Sequence, residues 1–176
     1  MVHILIDGYN LIRSSASLTK MESASLEKGR LALIYRLAEY KKMKGHTITV
    51  VFDAALTDNL SVEEDRKAGI RILYSEMGQK ADEVIIKLAR QLKDKTVVVS
   101  SDREIQQAAR LAGAGVMESQ EFEKKLNEAL IYGEAPLPSR DEEHQPLHKR
   151  WITMKKGPAK RLPKAKRRAL SKLRDL

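Results

Sequence analysis

The sequence contains no cysteine. That rules out disulfide cross-links, a disulfide-linked partner and thiolate zinc sites, so any bound metal must be held by oxygen or imidazole ligands. Hard cations such as Mg²⁺ or Mn²⁺ suit such ligands. No apolar run approaches bilayer-spanning length, and no membrane partner is expected. The opening run Met1-Val2-His3-Ile4-Leu5-Ile6-Asp7 is too short for a secretory signal and meets an acid where an apolar stretch should continue. The cytoplasm is therefore the expected compartment. A Gly-rich loop ending in Gly-Lys-Ser/Thr is missing, as is a Gly-x-Ser-x-Gly elbow, which excludes a P-loop and an elbow-type serine hydrolase. Gly113-Ala114-Gly115 follows a helical pattern and reads as a helix stop rather than a dinucleotide loop. His144 and His148 are four residues apart, but Pro146 between them disfavours the helix that a zinc pair would need.

What is present is a chain of 176 residues, 42% hydrophobic, enough for one substantial core. Its net charge of +9 is unevenly spread. Residues 144–176 hold 12 Lys and Arg against one acid, Asp175, giving +11, while residues 1–143 hold 21 bases and 23 acids, giving −2.

Runs rich in β-branched residues at His3 to Ile6, Thr47 to Phe52, Ile70 to Tyr74 and Thr96 to Val99 predict strands, with a weaker fifth at Gly115 to Met117. Between them, helical spacing of Leu33, Ile34, Leu37 and Ala38 predicts a helix over Leu26 to Lys44, and Ile85, Leu88, Ala89 and Leu92 predict the next. Further helices are expected at Arg103 to Ala112 and Gln120 to Tyr132. Apolar strands alternating with amphipathic helices imply a parallel sheet covered on both faces, hence a three-layer, doubly wound α/β domain over residues 1–132. Residues 133–148, with three prolines, two histidines and no periodicity, read as a linker. Residues 149–176 form a basic extension, with one helix expected near Lys164 to Leu173.

Open sheets of this kind place their chemistry beyond the carboxyl ends of the strands. Three predicted strands each end in an aspartate: Asp7 in Asp7-Gly8-Tyr9-Asn10, Asp53 in Phe52-Asp53-Ala54, and Asp102 in Ser100-Ser101-Asp102. A fourth, Asp82, lies in the first turn of a predicted helix and can face the same edge. Singly, Asp82 and Asp102 read more simply as a dipole partner and a helix cap. Gathered in one crevice, four carboxylates would repel and raise one another's pKa unless a cation neutralised them. A role in structure alone gives no reason to incur that cost four times. Mg²⁺ held by few carboxylates and several waters suits the set, and one ion or a pair about 3.5–4 Å apart can serve phosphodiester hydrolysis. An aspartate-nucleophile phosphatase would repeat the acid where Tyr9 stands, and a receiver domain would want adjacent acids where the chain has Asp7-Gly8.

Asp7-Gly8-Tyr9-Asn10-Leu11-Ile12, Val51-Phe52-Asp53-Ala54, Ala81-Asp82-Glu83 and Ser100-Ser101-Asp102 resemble, in order, the motifs of the NYN domain, a branch of the PIN-like nucleases, and in particular its bacterial YacP-type members. The resemblance covers about residues 2–132. It implies a Mg²⁺-dependent endoribonuclease in which Asp7, Asp53, Asp82 and Asp102 are metal ligands or acceptors for metal-held water. It also implies a PIN-like sheet of strand order 3-2-1-4-5, and the ribosome and its translated messages as partners. A non-catalytic RNA- or ribosome-binding module and a PIN-like DNA nuclease remain the alternatives.

Supporting roles are open. Asn10 is expected either to orient Asp7 or a phosphate, or to cap a helix. Ser100 and Ser101 either hydrogen-bond a ligand carboxylate or share in capping. Arg103 reads as a phosphate clamp or as a surface residue, and Tyr9 as a base-stacking or a packing residue. In the extension, Lys155, Lys156, Lys160, Arg161, Lys164, Lys166, Arg167 and Arg168 are dense enough to bind nucleic acid by counterion release. Trp151, beside Lys149 and Arg150, adds a stacking surface.

Overall fold

The computed structural model describes residues 1–53, 64–76 and 80–132. The five predicted strands are present as β1 (His3–Asp7), β2 (Thr47–Phe52), β4 (Ile70–Tyr74), β5 (Thr96–Val99) and β6 (Gly115–Met117). They pair in parallel in the order β4-β2-β1-β5-β6, which is the expected 3-2-1-4-5. One strand was not foreseen: β3 (Glu64–Lys67) adds antiparallel to β4 at the sheet edge, making six strands. Its four charged residues carry no apolar signal. The hairpin turns at Ala68 and Gly69, both with positive φ, as a two-residue hairpin turn requires.

The helices are α1 (Gly8–Ser14), α2 (Ala16–Ala24), α3 (Leu26–Lys44), α4 (Ala81–Leu92), α5 (Arg103–Leu111) and α6 (Ser119–Tyr132). Helix α3 spans the residues its pattern predicts, buries Leu33, Ile34, Leu37 and Ala38, and stops at Gly45 in the left-handed conformation, whose N–H closes on Lys41 O.

Alternation along each strand divides the core in two. Ile4, Ile6, Ile48, Val50, Phe52, Ile72, Val97 and Val99 face the layer of α1, α2, α3 and α6, meeting Leu11, Ile12, Leu33, Leu37 and Phe122. Leu5, Val51, Leu73 and Val98 face α4 and α5, meeting Ile85, Ala89, Ile105 and Ala109. Two residues beyond Leu5, Val51 and Val98, at the carboxyl edge, stand Asp7, Asp53 and Ser100. The sheet's pleat therefore sets these polar groups side by side on the α4/α5 face. Among the described residues, no helix is long and apolar enough to cross a membrane.

The linker reading of 133–148, the basic extension with Lys149, Arg150, Trp151, Lys155, Lys156, Lys160, Arg161, Lys164, Lys166, Arg167 and Arg168, and the helix expected within it lie outside the described residues.

Candidate metal and RNA site

Asp7 is both the last residue of β1 and the N-cap of α1. Its Oδ1 accepts from the Asn10 N–H at 3.1 Å and its Oδ2 from the Ser100 hydroxyl at 3.2 Å. Helix α1 can start with no intervening loop because Gly8 follows. A Cβ there would stand 2.3 Å from Phe52 Cε1, so only glycine lets the chain turn this close to the sheet.

Ser100 is fully buried at the end of β5. Its oxygen also accepts the Asp102 N–H at 3.1 Å, so one hydroxyl joins two of the four aspartates. Asp102 in turn caps α5 through Oδ1, which takes the Glu104 and Ile105 N–H groups at 2.7 and 3.1 Å. Asp82 is the second residue of α4, and Asp53 directly follows β2, partly buried.

These four carboxylates line one crevice of about 380 Å³ together with Tyr9, Asn10, Arg13 and Ala81. Burial pushes the Asp7 pKa up to about 6, with the Asp82 and Asp102 charges adding to the rise, against the hydrogen bonds from Asn10 and Ser100 that favour the ionised form. Partial burial also raises Asp82, reinforced by the charges of Asp102 and Asp53 and opposed by Lys80. The neighbouring carboxylates thus add to a rise that burial dominates. The carboxylates ring the crevice without closing on a point: among the described residues, no three His, Cys, Asp or Glu side chains stand close enough together to hold one metal ion.

Each supporting residue had two readings open, and its contacts favour one of them. Ser100 does bond a site carboxylate, but Ser101 does not. Its hydroxyl accepts the Ser119 N–H at 3.2 Å, serving the start of α6, because the strand has ended and Ser101 points away from the Asp7 row. Arg103 is exposed at the first residue of α5 and is not among the crevice-lining residues. Tyr9 is 5% exposed, edge-on to Phe52 at 5.2 Å, with its hydroxyl accepting from Arg30 at 3.0 Å. A ring so enclosed packs the wall of the crevice and offers no open face for a base. Asn10 reaches neither a carboxylate nor open crevice with its side-chain oxygen, which accepts the Ser101 N–H at 3.2 Å and the Ser119 hydroxyl at 3.0 Å. It clamps α1 to the β5–α5 turn and to α6.

Three contributors escaped the sequence reading. Gln106, buried in α5, donates to Ser100 O at 2.8 Å. Ser119 completes the Asn10 clamp. Arg13 lines the crevice itself, and the signal for it was its position three residues after Asn10, on the same face of a helix that was not foreseen.

A mostly parallel α/β sheet in this order, with carboxylates at the strand ends, is the fold of the PIN-like nuclease domains. The chain belongs to the family described as the YacP-like NYN domain, whose model matches residues 4–175. The match thus runs on through the basic stretch, past the residues 2–132 that carry the recognisable motifs. The chain is 34% identical over 91 residues to the uncharacterised protein YacP of Bacillus subtilis (strain 168), an alignment covering 52% of this chain and 53% of the relative, about half the relative's length. Among solved structures it is similar to Rae1 (YacP) from Bacillus subtilis, at 30% identity and a TM-score of 0.64, covering 74% of this chain and 76% of the other. A tryptophan-to-leucine mutant of the same protein matches at 30% identity and a TM-score of 0.61, covering 74% and 78%.

Proposed function

We propose that this protein is a metal-dependent endoribonuclease that hydrolyses phosphodiester bonds in RNA, acting in the cytoplasm on ribosome-associated messages. One observation carries the reading: aspartates from four separate chain segments line a single crevice, and the most buried of them is raised to about 6. Perturbed carboxylates in a cleft are the usual mark of a working site.

The donor set fits a hard divalent cation. Asp7, Asp53, Asp82 and Asp102 offer only oxygen, their charges act on one another, and Mg²⁺ keeps several waters and so accepts carboxylates spaced too widely for a closed shell. When bound, such an ion supplies positive charge and Lewis acidity for phosphodiester hydrolysis. The remaining work falls to the chain. Ser100 and the Asn10 N–H hold the Asp7 carboxylate in one orientation. Asp102 is fixed through its Oδ1 by two helix N–H groups, and Gln106 fixes the segment carrying Ser100.

The test is cleavage of single-stranded and structured RNA by the purified chain with Mg²⁺, with Mn²⁺ and with EDTA, and with DNA of matching sequence. Internal cuts in RNA that need the ion and disappear in Asp7→Asn are expected, as is co-sedimentation with ribosomes. Equal cutting of DNA would make it a DNA nuclease. The open spacing of the carboxylates favours a second reading, a non-catalytic RNA- or ribosome-binding module. Intact RNA with both ions, together with tight binding, would establish that instead.

A further inference from the structure

Four carboxylates make the crevice hostile to a phosphodiester, since each like charge costs energy as the strand approaches. Among the described residues lining it, Arg13 is the one cation. It is exposed and, among the described residues, forms no ion pair with any of the aspartates around it. Its guanidinium carbon instead stands 5.9 Å from the centroid of the Tyr9 ring, within cation–π range. That ring is buried, packed edge-on against Phe52 and bonded at its hydroxyl by Arg30. A planar fork steadied on an aromatic face keeps its N–H donors in a fixed geometry, which suits paired phosphate oxygens better than a lysine does.

We infer that Arg13 is the substrate-phosphate contact of this site, its guanidinium taking the non-bridging oxygens of the RNA phosphate that enters the acidic crevice, with Tyr9 as its support. The inference rests on the crevice being the RNA site proposed above. Because the contact is to the backbone, it fixes the register of the strand and carries no base preference.

The experiment uses full-length protein carrying Asp7→Asn, in Mg²⁺, with a fluorescent single-stranded oligoribonucleotide followed by anisotropy from low to high salt. Adding Arg13→Ala is expected to weaken binding about tenfold and to reduce the salt slope of log K by about 0.7–1, the share of one phosphate contact. Adding Arg13→Lys keeps the charge, and should keep the slope while recovering only part of the affinity. Thermal midpoints are expected to match, because the side chain is exposed, and Arg13→Gln serves as a second uncharged variant. Unchanged affinity and slope in Arg13→Ala and Arg13→Gln would overturn the inference. So would a loss of binding accompanied by a lowered midpoint in both variants, which would make Arg13 a structural residue. If the wild-type chain cuts no RNA, the nuclease reading falls, while this inference is still decided by the binding curves.

Discussion

Asp7 ends a strand, caps a helix and carries charge into a crevice shared with three other aspartates. The last of these opposes stability. Its folded pKa of about 6 lies above the ordinary carboxyl value of 3.8, so between these pH values the folded chain binds more protons than the unfolded one. Stability due to this group is then undiminished below the unfolded pKa and falls as pH rises, with the full cost present above pH 6. At about 1.4 kcal/mol per unit, the cost is on the order of 2–3 kcal/mol. Asp7→Asn should therefore be more stable than wild type at pH 7.5 by up to about that amount, and near-equal at pH 3.5. Denaturant melts at the two pH values without divalent ion check this, and equal stability at pH 7.5 would refute it. Added Mg²⁺ should narrow the gap, since an ion that binds only the folded site offsets the same repulsion. The four aspartates were legible in the sequence because each closes or opens a recognisable element. The fates of Tyr9, Ser101 and Arg103 were not, because whether a side chain faces a crevice, a helix end or solvent depends on neighbours distant in sequence.

Among the elements, α1 decides whether the site exists, since it carries Tyr9, Asn10 and Arg13 and opens at the Asp7 cap. Its approach to Phe52 depends on Gly8. Gly8→Ala should destabilise the fold by about 1–3 kcal/mol through overpacking and reduce RNA cleavage by more than the unfolded fraction accounts for, because the helix shifts away from Asp7. Chemical denaturation and activity measured on the same preparation separate the two effects, and unaltered activity per folded molecule would show that α1 tolerates the shift. The long helix α3 was readable because Leu33, Ile34, Leu37 and Ala38 recur at helical spacing and are all buried, and the five parallel strands because their β-branched runs are buried. Helices α1 and α2 were not, being short, the first beginning directly at the end of β1 and the second directly after the first. Strand β3 is charged throughout and is a strand only because β4 offers it an edge.

At the scale of the molecule, charge is divided along the chain, +11 in residues 144–176 and −2 before them. Truncation after Glu143 should weaken RNA binding and flatten its salt dependence while leaving the Asp7 stability profile unchanged. Binding isotherms at several salt concentrations test this, and an identical slope in the truncated chain would show that the basic stretch does not hold RNA. The sequence by itself determined the five parallel strands, the helices α3 to α6 and the identity of the acids, because period and composition are local properties that burial reads directly, while the strand order followed only from the family resemblance. Tertiary structure alone decided that Asp7 and Asp102 share the hydroxyl of Ser100, that Asn10 ties three elements together, and that Arg13 rather than Arg103 enters the crevice. Those outcomes depend on strand register and helix rotation, which bring residues about ninety positions apart within hydrogen-bonding distance and leave no trace in local pattern.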